Sequence, residues 1–285
     1  MTKSKILVTG ATGNVGHEVV RHLVYQGASV VATALDAEDA THVPEGAEIV
    51  FFDFGDTETY PEAFNGVKKL FLMRPPQIAD VKRYLFPVVD YVRESGIEQI
   101  VFLSLLGVER NPLVPHHKVE RYVEESGVPY TFLRPSFYMQ NLNTTHREEI
   151  KEQGEICVPV GNAKTSFIDV RDIGAVAAQV LTEAGHTNCA YALTGGKALD
   201  YHEVAETFTD VLDKRIVYTR PSLLKFIRRS LNRGTPFTFA LVMAGLYTST
   251  RLGMADKVTS TVHDLLDRPP ISLRQYIQDY AEAWL

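Results

Sequence analysis

The stretch Val8–Val20, VTGATGNVGHEVV, decides the fold. Gly10, Gly13 and Gly16 lie between a β-branched run, Ile6 to Thr9, and a helical pattern from Asn14 to Tyr25. Each glycine has a physical reading. Gly10 permits a sharp turn, Gly13 lets the backbone approach a pyrophosphate, and Gly16 lets the helix lie close against the strand. The helix start, with Thr12, Asn14 and Val15 around it, offers free N–H groups and a partial positive charge to phosphate. Val15, Val19, Val20, Leu23 and Val24 give the helix one apolar stripe, and Gly27 ends it.

Outward from this turn, strand-like runs alternate with helical ones, which predicts a parallel sheet covered on both faces. Strands are expected at Ser29–Ala34, Glu48–Phe52, Lys69–Met73 and Gln99–Ser104. Val81–Gly96 (VKRYLFPVVDYVRESG) and His116–Gly127 (HHKVERYVEESG) supply crossover helices. A sixth strand, Tyr130–Arg134, is expected to stop at Pro135, which lacks the N–H a central ladder needs. Beyond it come a helical pattern at Thr144–Gly154, a strand-like Ile156–Val160, a helix in Asp169–Gly185 and a strand in Ala190–Gly195. The fold class is therefore α/β, a Rossmann-type doubly wound parallel sheet with a smaller C-terminal substrate lobe. Residues 1–135 form mainly the dinucleotide-binding sheet; residues 136–285 form mainly the lobe, with the chain returning to the sheet. No linker separates them, so one domain is expected over residues 1–285.

With 285 residues, 45% of them hydrophobic and 22% charged, the chain can bury a large core. Its net charge of −6 gives no general attraction to nucleic acid, and the basic run Lys225–Arg233 reads as a solvated helix face. Cys157 and Cys189 have no metal-ligand or disulfide spacing, so no metal is expected and a reducing cytoplasm is the default compartment. The N-terminus lacks a signal-peptide pattern. The apolar Phe237–Tyr247 is well short of the roughly 20 residues that span a bilayer. It reads as a buried helix or a pocket lid, with packing against a second subunit left open; no membrane partner is expected, and the chain is a monomer or homodimer.

Ligands in open parallel sheets bind at the carboxyl ends of the strands. Asp36 ends the second strand, where an acidic residue can bond an adenosine 2′-hydroxyl; the alternative is that it caps the next segment. Glu38 and Asp39 follow it without a Lys or Arg, which leans the cofactor to NAD over NADP. Asp53 and Phe54 either receive the adenine or serve as turn and core residues. Met73, Arg74 and Pro75 end the fourth strand, with Arg74 a candidate anion ligand or a solvent-facing side chain.

Together, VTGATGNVG (Val8–Gly16), LFLMRPP (Leu70–Pro76), VFLSLLGVERN (Val101–Asn111), YTFLRPSFYMQN (Tyr130–Asn141) and SFIDVRDIGAVA (Ser166–Ala177) resemble the NmrA-like group of atypical short-chain dehydrogenases/reductases. That resemblance implies dinucleotide binding, with Ser104 matching the family serine and Pro135, Ser136 and Phe137 near the nicotinamide. Family chemistry typically needs a Tyr and a Lys four apart, with a Glu four further on. If Glu120 is that glutamate, His116 stands for the lysine and Pro112 for the tyrosine. The proton-donating dyad is absent. His116, His117 or Lys118 could act as acid, with Tyr138 in reserve; or the acceptor needs no protein acid; or there is no turnover. His116 and Glu120 could also form a plain i, i+4 surface pair. Asp169 and Asp172 read as structural. The leading reading is an NAD(P)H-dependent oxidoreductase giving hydride to a small, flat, electron-poor molecule such as a quinone. The alternative is a non-catalytic redox-sensing regulator that binds NAD(P) and acts through a protein partner.

Overall fold

A computed structural model of the chain describes residues 4–285. The first half of the chain runs β1 (Lys5–Val8), α1 (Asn14–Tyr25), β2 (Ser29–Ala34), α2 (Ala37–Ala40), β3 (Glu48–Phe51), α3 (Tyr60–Ala63), β4 (Val67–Met73), α4 (Val81–Tyr84), α5 (Phe86–Glu94), β5 (Gln99–Leu103), α6 (Pro115–Ser126) and β6 (Tyr130–Pro135). The second half runs β7 (Phe137–Tyr138), α7 (Arg147–Gln153), β8 (Glu155–Ile156), β9 (Thr165–Ile168), α8 (Val170–Thr182), β10 (Cys189–Leu193), β11 (Ala198–Leu199), α9 (Tyr201–Leu212), β12 (Val217–Tyr218), α10 (Leu223–Asn232), α11 (Phe237–Arg251), α12 (Thr261–Leu266) and α13 (Leu273–Asp279).

Two compact units result. The first contains the chain up to Pro135, Val170–Leu193 and Asp264–Asp267; the second contains Ser136–Asp169, Thr194–His263 and Arg268–Leu285. The first unit holds a seven-stranded sheet in the order β10-β6-β5-β4-β1-β2-β3, with every pair parallel. Its central strands read as continuous apolar runs because both faces are covered: Leu7, Val8, Phe71, Leu72, Val101 and Phe102 are fully buried. Strand order reverses at β1, whose neighbours are β4 and β2. Parallel pairing puts the carboxyl ends of all seven strands on one edge, so Gly10, Asp36, Asp53, Arg74 and Ser104 gather there as sequence neighbours of strand ends.

Several boundaries differ from the sequence expectation for local reasons. The crossover at Val81–Gly96 is broken at Leu85, because Pro87 cannot donate to the carbonyl of Arg83. β6 keeps Pro135 as its last residue, opposite Leu193, and the proline carbonyl accepts from Leu106 N–H at 2.9 Å. A proline removes only the donor, so the final strand position tolerates it. Of Ile156–Val160 only Ile156 is in a strand, with Pro159 interrupting the run. The predicted helix and strand at Asp169–Gly195 are α8 and β10, and both belong to the first unit's sheet and its cover.

The second unit has a three-stranded sheet, β11-β9-β7, and a two-stranded pair, β12-β8. Its core gathers Phe208, Tyr276 and Trp284, with the Phe208 and Trp284 rings edge to face at 4.8 Å. Trp284 donates its indole N–H to Leu142 O at 3.1 Å. α9 is held by a capping box in which Asp200 and Glu203 each take the other's backbone N–H. Phe208→Ala is expected to cost about 3–5 kcal/mol of stability. Chemical denaturation followed by the fluorescence of Trp284, the chain's single tryptophan, would measure it.

Candidate dinucleotide site

The site begins where β1 hands over to α1. Gly10 has φ +64°, a left-handed conformation that favours glycine, and any Cβ there would lie 2.2 Å from Met73 Sδ. Its N–H donates to Thr33 Oγ1 at 3.2 Å. Thr9 ties the turn to β4: its hydroxyl donates to Phe71 O and accepts from Met73 N–H, both at 3.0 Å. A Cβ on Gly16 would lie 2.0 Å from Gly10 O, so only glycine lets the helix start this close to the strand. Gly13 differs from both. A Cβ there would meet only Gly10 O, at an ordinary 3.4 Å, so no protein atom forbids a side chain.

Gly13 is also the N-cap of α1 and supplies no side-chain cap. The first-turn amides around Asn14 and Val15 are therefore left for an outside acceptor, and a phosphate bound there would use the space that a Cβ at Gly13 would fill. At the end of β5, Ser104 Oγ is buried with no hydrogen-bond partner among the described residues. A buried hydroxyl left unsatisfied costs free energy, which a polar ligand group recovers. The cradle at Gly13 and the hydroxyl at Ser104 both fit a nicotinamide dinucleotide.

The other edge residues are more committed to the protein. Asp36 caps α2 by accepting from Asp39 N–H at 2.8 Å, and Asp39 accepts from Leu35 N–H at 2.9 Å. Asp53 accepts from Gly55 N–H at 2.7 Å, while Phe54 packs in the core against Phe52 with centroids 5.0 Å apart. Arg74 folds back instead of reaching solvent. Its Nη1 donates to the carbonyls of Pro75, Pro76 and Ile78 at 3.1, 3.3 and 2.6 Å, which shapes the loop after β4.

His116 does not pair with Glu120. Its Nε2 accepts from Arg74 Nε at 3.5 Å, and its ring lies 6.0 Å from that of Phe102. Burial, then the Arg74 charge, push its pKa down to about 3, so no imidazolium is available as an acid near neutrality. Glu120 is instead buried in a bidentate pair with Arg134, at 3.0 and 2.7 Å, an arrangement with no sequence signal because the two lie on different elements. His117 Nδ1 contacts Val108 O at 3.0 Å, and Lys118 is exposed. Gly174 on α8 has no sequence signal of its role: a Cβ there would lie 2.6 Å from Glu18 Cβ, so this glycine lets α8 pack on α1.

In the second unit, Ser136 Oγ donates to Ser166 O, and Phe137 and Tyr138 pair with Phe167 and Ile168. Burial pushes the Tyr138 phenol well above its usual range, which weakens it as a proton donor. Gln140 donates to Asp169 Oδ1 at 3.0 Å. Met139 and Phe167 line an apolar cavity of about 290 Å³ with Leu199, Pro270 and Ile271. Among the described residues no group of three or more His, Cys, Asp or Glu is placed to hold a metal, and no helix is long and apolar enough to cross a membrane.

A parallel sheet with its order reversing beside a glycine-rich strand-to-helix turn defines a Rossmann-type dinucleotide fold. The chain belongs to the NmrA-like family, whose model matches residues 2–262. It is 31% identical to the NAD(P)H azoreductase of Xenophilus azovorans over 98% of this chain and 99% of that protein. It is similar in structure to Citrobacter sp. triphenylmethane reductase complexed with NADP(H), with a TM-score of 0.87, 26% identity and coverage of 96% and 99% of the two chains. The NADPH complex of the NADPH-dependent quinone oxidoreductase of Escherichia coli gives a TM-score of 0.88, 26% identity and coverage of 97% and 99%.

Gly13→Asp is expected to abolish dinucleotide binding, by placing bulk and negative charge in the phosphate cradle, while leaving thermal unfolding nearly unchanged. Fluorescence titration with NADH, beside a melting curve, measures both. For His116 the sign follows from a folded pKa near 3 against 6.5 for the free side chain. The unfolded chain takes up a proton that the folded chain refuses, so stability falls as pH drops below 6.5 toward 3. His116→Gln should flatten that acid limb in urea unfolding; an unchanged slope would place the dependence elsewhere.

Proposed function

We propose that this chain is an NAD(P)H-dependent reductase that gives hydride to a flat, electron-poor acceptor of quinone or azo type. The observation that carries the reading is a built dinucleotide cradle in which His116, Tyr138 and the position of the family tyrosine supply no competent proton donor. His116 is held neutral, Tyr138 is a weakened acid, and Pro112 stands where the family tyrosine would. Carbonyl reduction needs a proton delivered to oxygen as hydride arrives. Hydride addition to a quinone leaves a phenolate that takes its proton later from water, and the similar azoreductase and quinone oxidoreductase act on flat acceptors of this kind.

Bound cofactor would supply the hydride. The first turn of α1 holds the pyrophosphate, with Gly10 and Gly16 setting the approach of strand and helix. Ser104 offers its hydroxyl to the nicotinamide half, with Pro135 beside it at the end of β6, and Ser136 and Phe137 follow in sequence. Met73 covers Gly10 and Arg74 fixes the next loop, so both shape the edge. In the second unit, Met139 and Phe167 give an apolar wall suited to a planar ring.

For the cofactor's 2′ position we propose NADH over NADPH, a departure from the NADP(H) complexes of the related structures. No Lys or Arg occurs between Ser29 and Val67, while Asp36, Glu38 and Asp39 follow β2 directly. A 2′-phosphate there meets repulsion worth about tenfold in affinity. Titration with both cofactors should show NADH binding more tightly, and Asp36→Asn should narrow the gap; tighter NADPH binding would overturn the preference. The reductase reading is tested by adding quinones and azo dyes to the NADH-saturated protein and following cofactor absorbance. Oxidation with saturation in the acceptor is expected. Tight binding without oxidation by any acceptor would replace the reductase with a redox-sensing regulator.

A further inference from the structure

We propose that α10, α11 and the residues just after them seat the protein on the surface of an anionic lipid bilayer. α11 turns Ala240, Ala244, Tyr247 and Thr250 into the second unit's core, the stripe expected of a packed helix. Much of the rest of its surface is apolar too, with Thr238 and Thr248 as exposed polar residues among it. Phe237, Phe239, Leu241, Val242 and Leu246 are between 47% and 59% exposed, and the helix carries no charge before Arg251. This corrects the expectation of a buried helix at Phe237–Tyr247. α10 adds Leu224, 80% exposed, and Leu231 on its outer side, and Leu252 and Met254 follow α11 at 73% and 60%. Apolar side chains exposed in such density on neighbouring elements mark a surface that something covers.

Charge identifies what covers it. From Lys214 to Ala255 the chain has no Asp or Glu, although the whole protein has a net charge of −6. Arg229 and Arg233 of the basic run are spent on Glu149 and Glu155, so that run is only partly the solvated face read from sequence. Arg215, Arg220, Lys225, Arg228 and Arg251 are exposed and lie in no ion pair among the described residues. An exposed apolar surface with unpaired cations on the same helices, Lys225 and Arg228 on α10 and Arg251 at the end of α11, matches a bilayer interface, where the side chains enter the acyl boundary and the cations meet anionic headgroups. A two-fold contact with a second copy would bring these same cations together, which disfavours that occupant. α11 has 15 residues and cannot cross a bilayer, so it would lie in the plane of the interface.

The test is flotation of the full chain with vesicles of phosphatidylcholine containing a minor fraction of phosphatidylglycerol, against vesicles of phosphatidylcholine alone. The protein should float with the anionic vesicles only and be released by salt. Arg228→Ala should weaken binding about fivefold. Val242→Asp should abolish it. Both positions are exposed, so melting curves should confirm that each variant is folded. Failure to float, or equal flotation on both vesicle types, would overturn the proposal. So would light scattering that shows a dimer split by Val242→Asp without vesicle binding, since a second copy would then cover the patch.

Discussion

The first unit depends on one close approach, that of the start of α1 to the carbonyl of Gly10. A single methyl group at Gly16 would lie 2.0 Å from that oxygen. Because the glycine permits contact, the helix begins directly over the sheet edge, with a first turn that has no side-chain cap. The same closeness propagates outward. Thr9 and Met73 lock the turn to β4, Thr33 holds Gly10 from β2, and Gly174 lets α8 settle on α1 before β10 joins the sheet at its edge.

What the edge then lacks is as informative as what it holds. Arg74 and His116 satisfy each other and the loop carbonyls, and Glu120 is absorbed by Arg134. These bonds stiffen the rim and withdraw His116 and Glu120 from proton transfer. Among the described residues, the backbone amides at the start of α1 and the hydroxyl of Ser104 remain open, groups suited to binding and orienting. Orientation in a water-poor site is a large part of what a protein adds to a nicotinamide reaction.

Much of this was legible in the sequence because the relevant forces are local. The apolar periodicity of Asn14–Tyr25 and the β-branched runs gave β1, α1 and β2 nearly to the residue, and the roles of Gly10 and Gly16 follow from backbone geometry alone. Other features left no trace. The partners of Arg74 are backbone carbonyls, which every residue has. The Glu120 to Arg134 pair joins different elements, and the lack of a partner for Ser104 Oγ among the described residues is a property of its surroundings. The apolar character of Phe237–Tyr247 was plain, but apolarity does not say whether a helix faces protein or stands exposed.

The most direct measurement is the primary deuterium isotope effect on oxidation of protein-bound NADH by a quinone, using cofactor deuterated on each face of the nicotinamide in turn. Direct transfer from an oriented cofactor, with no protein acid engaged, predicts a slowed rate for one face only and little dependence on pH around neutrality. Equal rates for all isotopologues, or a rate that rises and falls with a single ionising group near neutral pH, would contradict it.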